Sequence, residues 1–132
     1  MRIIAASPVF QKLDAVGAAQ LATNLEPRQI PPGEVIVAAG ADPQALYFIG
    51  HGQVEYVSDE TKTICDDGDF FGARALMTGE RTAFVATATA PSTLLRLPAD
   101  DFRRLCRLLP TFREVMAEAA AADGAEPADF RL

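Results

Sequence analysis

The stretch Gly68-Asp-Phe-Phe-Gly72-Ala-Arg-Ala-Leu-Met-Thr-Gly79-Glu-Arg81-Thr-Ala-Phe-Val85 decides the fold. It sets a glycine turn, one short helical run and a lone arginine between two strand-like segments. Gly72 lets the backbone turn tightly, and Ala73 to Met77 are good helix formers. A helix that begins at Gly72 points unpaired N–H groups at whatever precedes it, which favours an anion. Arg81, just past a second glycine at Gly79, adds a fixed cation whose forked donors suit a phosphate.

Working outward, the flanks read as a series of short strands. Residues 34–38, 45–49, 53–57 and 61–65 alternate or are β-branched, and they are separated by turns at Pro31-Pro32-Gly33, Gly40 to Pro43, Gly50-His51-Gly52 and Ser58 to Glu60. Beyond the opening stretch, 83–90 and 93–97 add two more strands around a Pro91-Ser92 turn. Even strand spacing with glycine-containing turns points to a closed antiparallel roll rather than a parallel sheet. Pro8 to Leu13 reads as a helical turn, and Asp14 caps a helix that Pro27 stops. Pro98 opens a helix with Asp100 and Asp101 in its first turn, and Pro110 ends or kinks it. A last helix runs from Thr111 until Gly124 breaks it, and 125–132 looks frayed.

The expected architecture is therefore α+β and mainly β. An antiparallel β-roll or jelly roll (26–97) carries N-terminal helices (8–25), a short internal helix within 68–85, two C-terminal helices (98–122) and a flexible tail (123–132). A helix inserted between two strands of a roll costs pairing and buries little, which marks it as functional.

With 132 residues the chain is long enough for one domain with its own core. Its net charge of −6 and lack of a basic cluster argue against a nucleic-acid surface. No apolar run approaches the ~18–20 residues of a membrane span, and the short apolar patch at 1–7 has no extended signal-peptide core. Cys65 and Cys106 lack metal-ligand spacing and read as reduced thiols. Catalysis has no support: the one histidine, His51, lies in a turn, and no pair of buried carboxylates suggests acid–base work. Asp66, Asp67 and Asp69 read as a solvated turn, so no metal or cofactor is expected.

Pro32-Gly33-Glu34, Ala39-Gly40-Ala-Asp42, Leu46 to Val54 and Phe71-Gly72 through Val85 together resemble the cyclic nucleotide-binding domain. That family includes catabolite activator proteins, regulatory subunits of cAMP-dependent protein kinase and cyclic-nucleotide-gated channels. The opening at Pro8 to Leu13 and the helix bearing Asp101, Phe102, Leu105 and Cys106 most resemble the cytosolic domains of bacterial cyclic-nucleotide-gated potassium channels. The resemblance implies a regulatory module that binds cAMP or cGMP, with ligand-binding positions at Phe71, Gly72, Ala73, Arg74, Ala75, Arg81, Thr82 and Ala83. Amides of the short helix and Arg81 would hold the cyclic phosphate, Thr82 would add a hydroxyl, and the last helix would act as a lid. It also implies a cytoplasmic setting, either stand-alone or as the cytosolic part of a membrane channel.

Two positions depart from the family. Ala73 stands where a glutamate holds the ribose 2′-hydroxyl, and Arg74 where an apolar residue is usual. A lost charged hydrogen bond costs roughly 1.5–3 kcal/mol, so ribose recognition is expected to be weakened. Arg74 reads either as an exposed helix arginine or as a second cation for another anion. The alternative function is a degenerate domain that binds no cyclic nucleotide and serves as an assembly module, using Phe112, Val115, Met116 and Ala119 to contact other subunits.

Overall fold

The computed structural model describes residues 7–59 and 61–132. The apolar patch at the N-terminus, up to residue 6, and Glu60 of the expected 58–60 turn lie outside the described residues. Helices α1 (Pro8–Lys12) and α2 (Ala15–Thr23) come first. Asp14 caps α2 as expected, its Oδ1 accepting from the Gly17 amide at 2.7 Å.

Eight strands follow: β1 (Glu26–Ile30), β2 (Val35–Val37), β3 (Ala45–His51), β4 (Gln53–Ser58), β5 (Thr61–Asp66), β6 (Phe70–Phe71), β7 (Phe84–Ala88) and β8 (Ser92–Pro98). They form two antiparallel sheets in the orders β1-β8-β3-β6 and β2-β7-β4-β5. Pro27 lies inside β1 rather than merely ending a helix; it is tolerated because β1 is an edge strand, where one face of the backbone needs no ladder donor. The turn expected at Gly50-His51-Gly52 is narrower than its glycines suggest. A register shift between Ile49 and His51 carries β3 on to pair with Thr93, and the bend falls at Gly52.

Alternation assigns the two faces of the first sheet to two cores. Phe48, Leu95 and Leu97 face the helices, whereas Ile49 and Leu94 face the inside of the roll with Val54, Phe71, Phe84 and Ala86. Between β6 and β7 lies α3 (Ala73–Thr78), and α4 (Ala99–Leu108) and α5 (Pro110–Ala122) complete the helices. Pro110 opens α5 at its first position instead of ending the previous helix: Leu109 is extended at φ −123 and ψ 92, the conformation a following proline favours.

Two expectations fail on packing. Phe112, Val115 and Met116 are buried against Phe102, Leu105 and Val9, so they form core and not an exposed assembly surface. The tail at 123–132 is not frayed. Gly124, at φ +95, closes a Schellman motif in which Ala125 N–H bonds Ala120 O at 3.0 Å and Gly124 N–H bonds Ala121 O at 3.0 Å. Ala125 is buried against the core, and Phe130 and Leu132 pack on it. The Arg131 amide then reaches the Met77 carbonyl at 2.8 Å, satisfying an acceptor in the last turn of α3.

Candidate functional site

The short helix α3 hangs on Gly72. Its φ of +104 excludes ordinary side chains, and a Cβ there would come within 3.1 Å of the Ala45 carbonyl. From Gly72 the chain rises through Ala73, buried in the helical core with Leu76 and Met77. Arg74 and Ala75 take the opposite face. Thr78 ends the helix by bonding back to Arg74 O at 2.9 Å and accepting from the Glu80 amide at 3.3 Å.

That opposite face forms one wall of a cleft of about 410 Å³, within the range of small-ligand sites. The second wall is the outer end of β4 and β5, where Tyr56 pairs with Thr63 and Ser58 with Thr61. Arg81, Ala83 and Phe84 close one side, and Ala122, Asp123 and Gly124 at the end of α5 close another. Tyr56 and Phe84 stack with centroids 4.4 Å apart at 20°, and Phe71 meets both edge-on behind them. Burial pushes the Tyr56 hydroxyl up to about 12, and nearby Asp123 adds to the shift.

Of the residues singled out from sequence, Arg74, Ala75, Arg81 and Ala83 meet on the cleft wall. Phe71 lies in the core of the roll, and Ala73 faces inward. Gly72 and Thr82 line a separate, smaller cavity of about 90 Å³. The cleft residues that sequence reasoning missed are chiefly Tyr56, Ser58, Thr61 and Thr63. Their alternation at 56/58 and 61/63 was the available signal, since it puts all four on one sheet face.

Arg81 and Thr82 also hold the 38–42 turn. Arg81 Nη1 donates to Gly40 O at 3.0 Å and lies 3.5 Å from Asp42 Oδ1, with 69% of its side chain exposed. Gly40 N–H bonds Thr82 O at 2.7 Å, and Thr82 N–H bonds Ala41 O at 2.8 Å. The Thr82 hydroxyl donates to Ala38 O at 2.7 Å, with Ala41 O at 3.3 Å. Among the charged lining residues, Arg74 and Arg81 face Asp59, Glu80 and Asp123, so the cleft is not a strongly positive basin. Burial raises the Asp123 carboxyl above its ordinary value, and Arg74 pulls it partly back.

Two carboxylates of the acidic turn at 66–69 are spent on backbone amides: Asp69 Oδ2 accepts the Asp66 amide at 2.9 Å, and Asp67 Oδ1 accepts the Gly52 amide at 2.9 Å. Among the described residues no three potential metal ligands converge.

The model of the cyclic nucleotide-binding domain matches residues 27–108, which contain both sheets and α3. The chain belongs to that family. A cyclic nucleotide-gated potassium channel of Rhizobium etli is 35% identical over 90% of this chain and 34% of its own length. The domain thus spans about a third of such curated channel relatives. Among solved structures, the catabolite activator protein of Thermus thermophilus superposes with a TM-score of 0.79 at 25% identity, covering 89% of this chain and 58% of that one. A regulatory subunit of a cAMP-independent protein kinase A from Trypanosoma cruzi, bound to guanosine, gives a TM-score of 0.76 at 27% identity, over 85% of this chain and 41% of that one. Both sheets and the helical order of the domain are those of the family's jelly roll. No described helix is long and apolar enough to cross a membrane.

Proposed function

We propose that the cleft binds a cyclic nucleotide, cAMP or cGMP, and that occupancy is relayed through α4 and α5 as a regulatory signal rather than used in catalysis. The observation that carries this reading is the convergence of α3, Arg81 and the end of α5 on one cleft of about 410 Å³ in a domain of this family. The phosphate faces Arg81 and the α3 amides near Ala75, and the base lies toward Tyr56 and Thr63. Ala73 brings no carboxylate to the ribose, which weakens binding by ~10–150-fold relative to a site that has one. The channel relatives support a cytoplasmic role as the soluble end of a channel, and a stand-alone regulator is the other form of the same reading.

One observation favours a second reading. Three carboxylates and two guanidinium groups line the cleft, and Asp42 already pairs with Arg81. A site balanced in this way suits a neutral nucleoside better than a phosphate, and the trypanosomal relative is described as bound to guanosine. A thermal-shift series with cAMP, cGMP and guanosine tests both. A ligand at ~100 times its dissociation constant stabilises the folded state by about 2.7 kcal/mol. A shift with cAMP or cGMP alone supports the first reading, a shift with guanosine alone the second, and no shift with any of them at millimolar concentration overturns both.

A further inference from the structure

Besides the packing of the core, a side-chain bond ties the end of α5 to the cleft wall. Arg74 Nη1, from the cleft-facing side of α3, donates to the carbonyl of Asp123, the C-cap of α5. The Schellman bonds already occupy Ala120 O and Ala121 O, and the Asp123 amide takes Ala119 O at 3.3 Å. The Asp123 carbonyl is turned to the guanidinium, at the helix end where the macrodipole is negative. Gly124 follows directly, and its φ of +95 rather than any crowding calls for glycine, since a Cβ there would only touch Arg74 Nη1 at 3.4 Å.

The connection continues into the tail. From Gly124 the chain packs Ala125 into the core and returns to α3 through the bond from Arg131 N–H to Met77 O. The circuit therefore runs from Arg74 to Asp123, along the tail, and back to the last turn of the helix that carries Arg74. The Arg74 guanidinium also pulls down an Asp123 carboxyl that burial raises.

We propose that Arg74 is a positioning residue that braces the end of α5 over the cleft and sets how long a ligand stays there. It rests on the reading of the cleft as a cyclic-nucleotide site. A guanidinium has five donors, so Arg74 can keep Asp123 on Nη1 while its remaining N–H groups face the cleft. A ligand then meets a group already committed to the lid, and lid opening and ligand release become one event.

The test has two arms on the full chain. In the first, without nucleotide, backbone hydrogen exchange is compared for wild type, Arg74→Gln and Arg74→Lys. Arg74 is exposed, so a threefold to tenfold acceleration at 123–125 and at Arg131 is expected in Arg74→Gln, less than a charged hydrogen bond is worth when shielded from water. The β-roll amides keep their rates, Arg74→Lys recovers part of the protection, and the Asp123 carboxyl titrates higher in Arg74→Gln by NMR. Unchanged exchange at 123–125, or acceleration spread evenly over the roll, overturns the brace. In the second arm, a fluorescent cAMP analogue leaves Arg74→Gln several-fold faster than wild type, and equal release rates overturn the proposal. If wild type binds neither cAMP nor cGMP while the exchange arm gives the expected pattern, the brace stands and the reading of the cleft falls.

Discussion

Thr82→Val separates two roles that the sequence could not. As a ligand residue, Thr82 would lend its hydroxyl to a phosphate. In the fold that hydroxyl instead donates to Ala38 O at 2.7 Å, and the residue is only 7% exposed. Valine keeps the shape but removes the donor, and it sets a methyl against the Ala41 carbonyl, 3.3 Å from the present oxygen. Leaving a buried acceptor unsatisfied costs about 1–3 kcal/mol. Ala38 is itself exposed, so water reaches its carbonyl in part, and the expected loss is at the lower end, about 1–1.5 kcal/mol. For a domain of this size that lowers the melting temperature by roughly 3–7 °C. Urea denaturation of wild type, Thr82→Val and Thr82→Ser reads the effect as a midpoint shift at constant slope, with serine between the other two. Wild-type stability in Thr82→Val, combined with a tenfold loss of nucleotide affinity, would refute the strut and return Thr82 to the ligand.

The titratable groups give two further tests. Both thiols are buried, Cys65 pushed up to about 11 and Cys106 to about 12 mainly by burial, so a thiol reagent at neutral pH should label the native chain only at the rate of opening; complete labelling on mixing would contradict this burial. Tyr56 is raised in the folded state, so the stability it contributes is fully present below the unfolded value of about 10 and is lost as pH rises toward about 12. In a Tyr47→Phe variant, tyrosinate absorbance followed against circular dichroism should show Tyr56 ionising late, together with unfolding, and early ionisation of Tyr56 would count against the packing around the cleft.

Most of the roll was legible because its signals are local. Alternation and turn glycines marked β2 to β5, β7 and β8, and Asp14 marked the start of α2. What escaped depends on distant partners. The tail has few apolar residues, so nothing within it announces that Ala125 fills a gap beside Ala120 or that Arg131 caps the Met77 carbonyl. Likewise Phe112, Val115 and Met116 look the same in sequence whether they face a subunit or their own core; Val9 and Phe102 decide it. In the site, nothing in the sequence shows that Ala73 packs into the helical core while Arg74 lines the cleft. A six-residue helix leaves no periodicity from which that rotation could be read.

The cyclic phosphate is proposed to rest on Arg81 and α3. The most direct test is calorimetric titration of wild type and Arg81→Gln with cAMP and cGMP. Saturable one-site binding is expected of wild type, weakened at least tenfold in Arg81→Gln while the melting temperature of the unliganded chain changes little, because the side chain is largely exposed. Equal affinities in the two proteins, or no heat from either nucleotide with wild type, would contradict it.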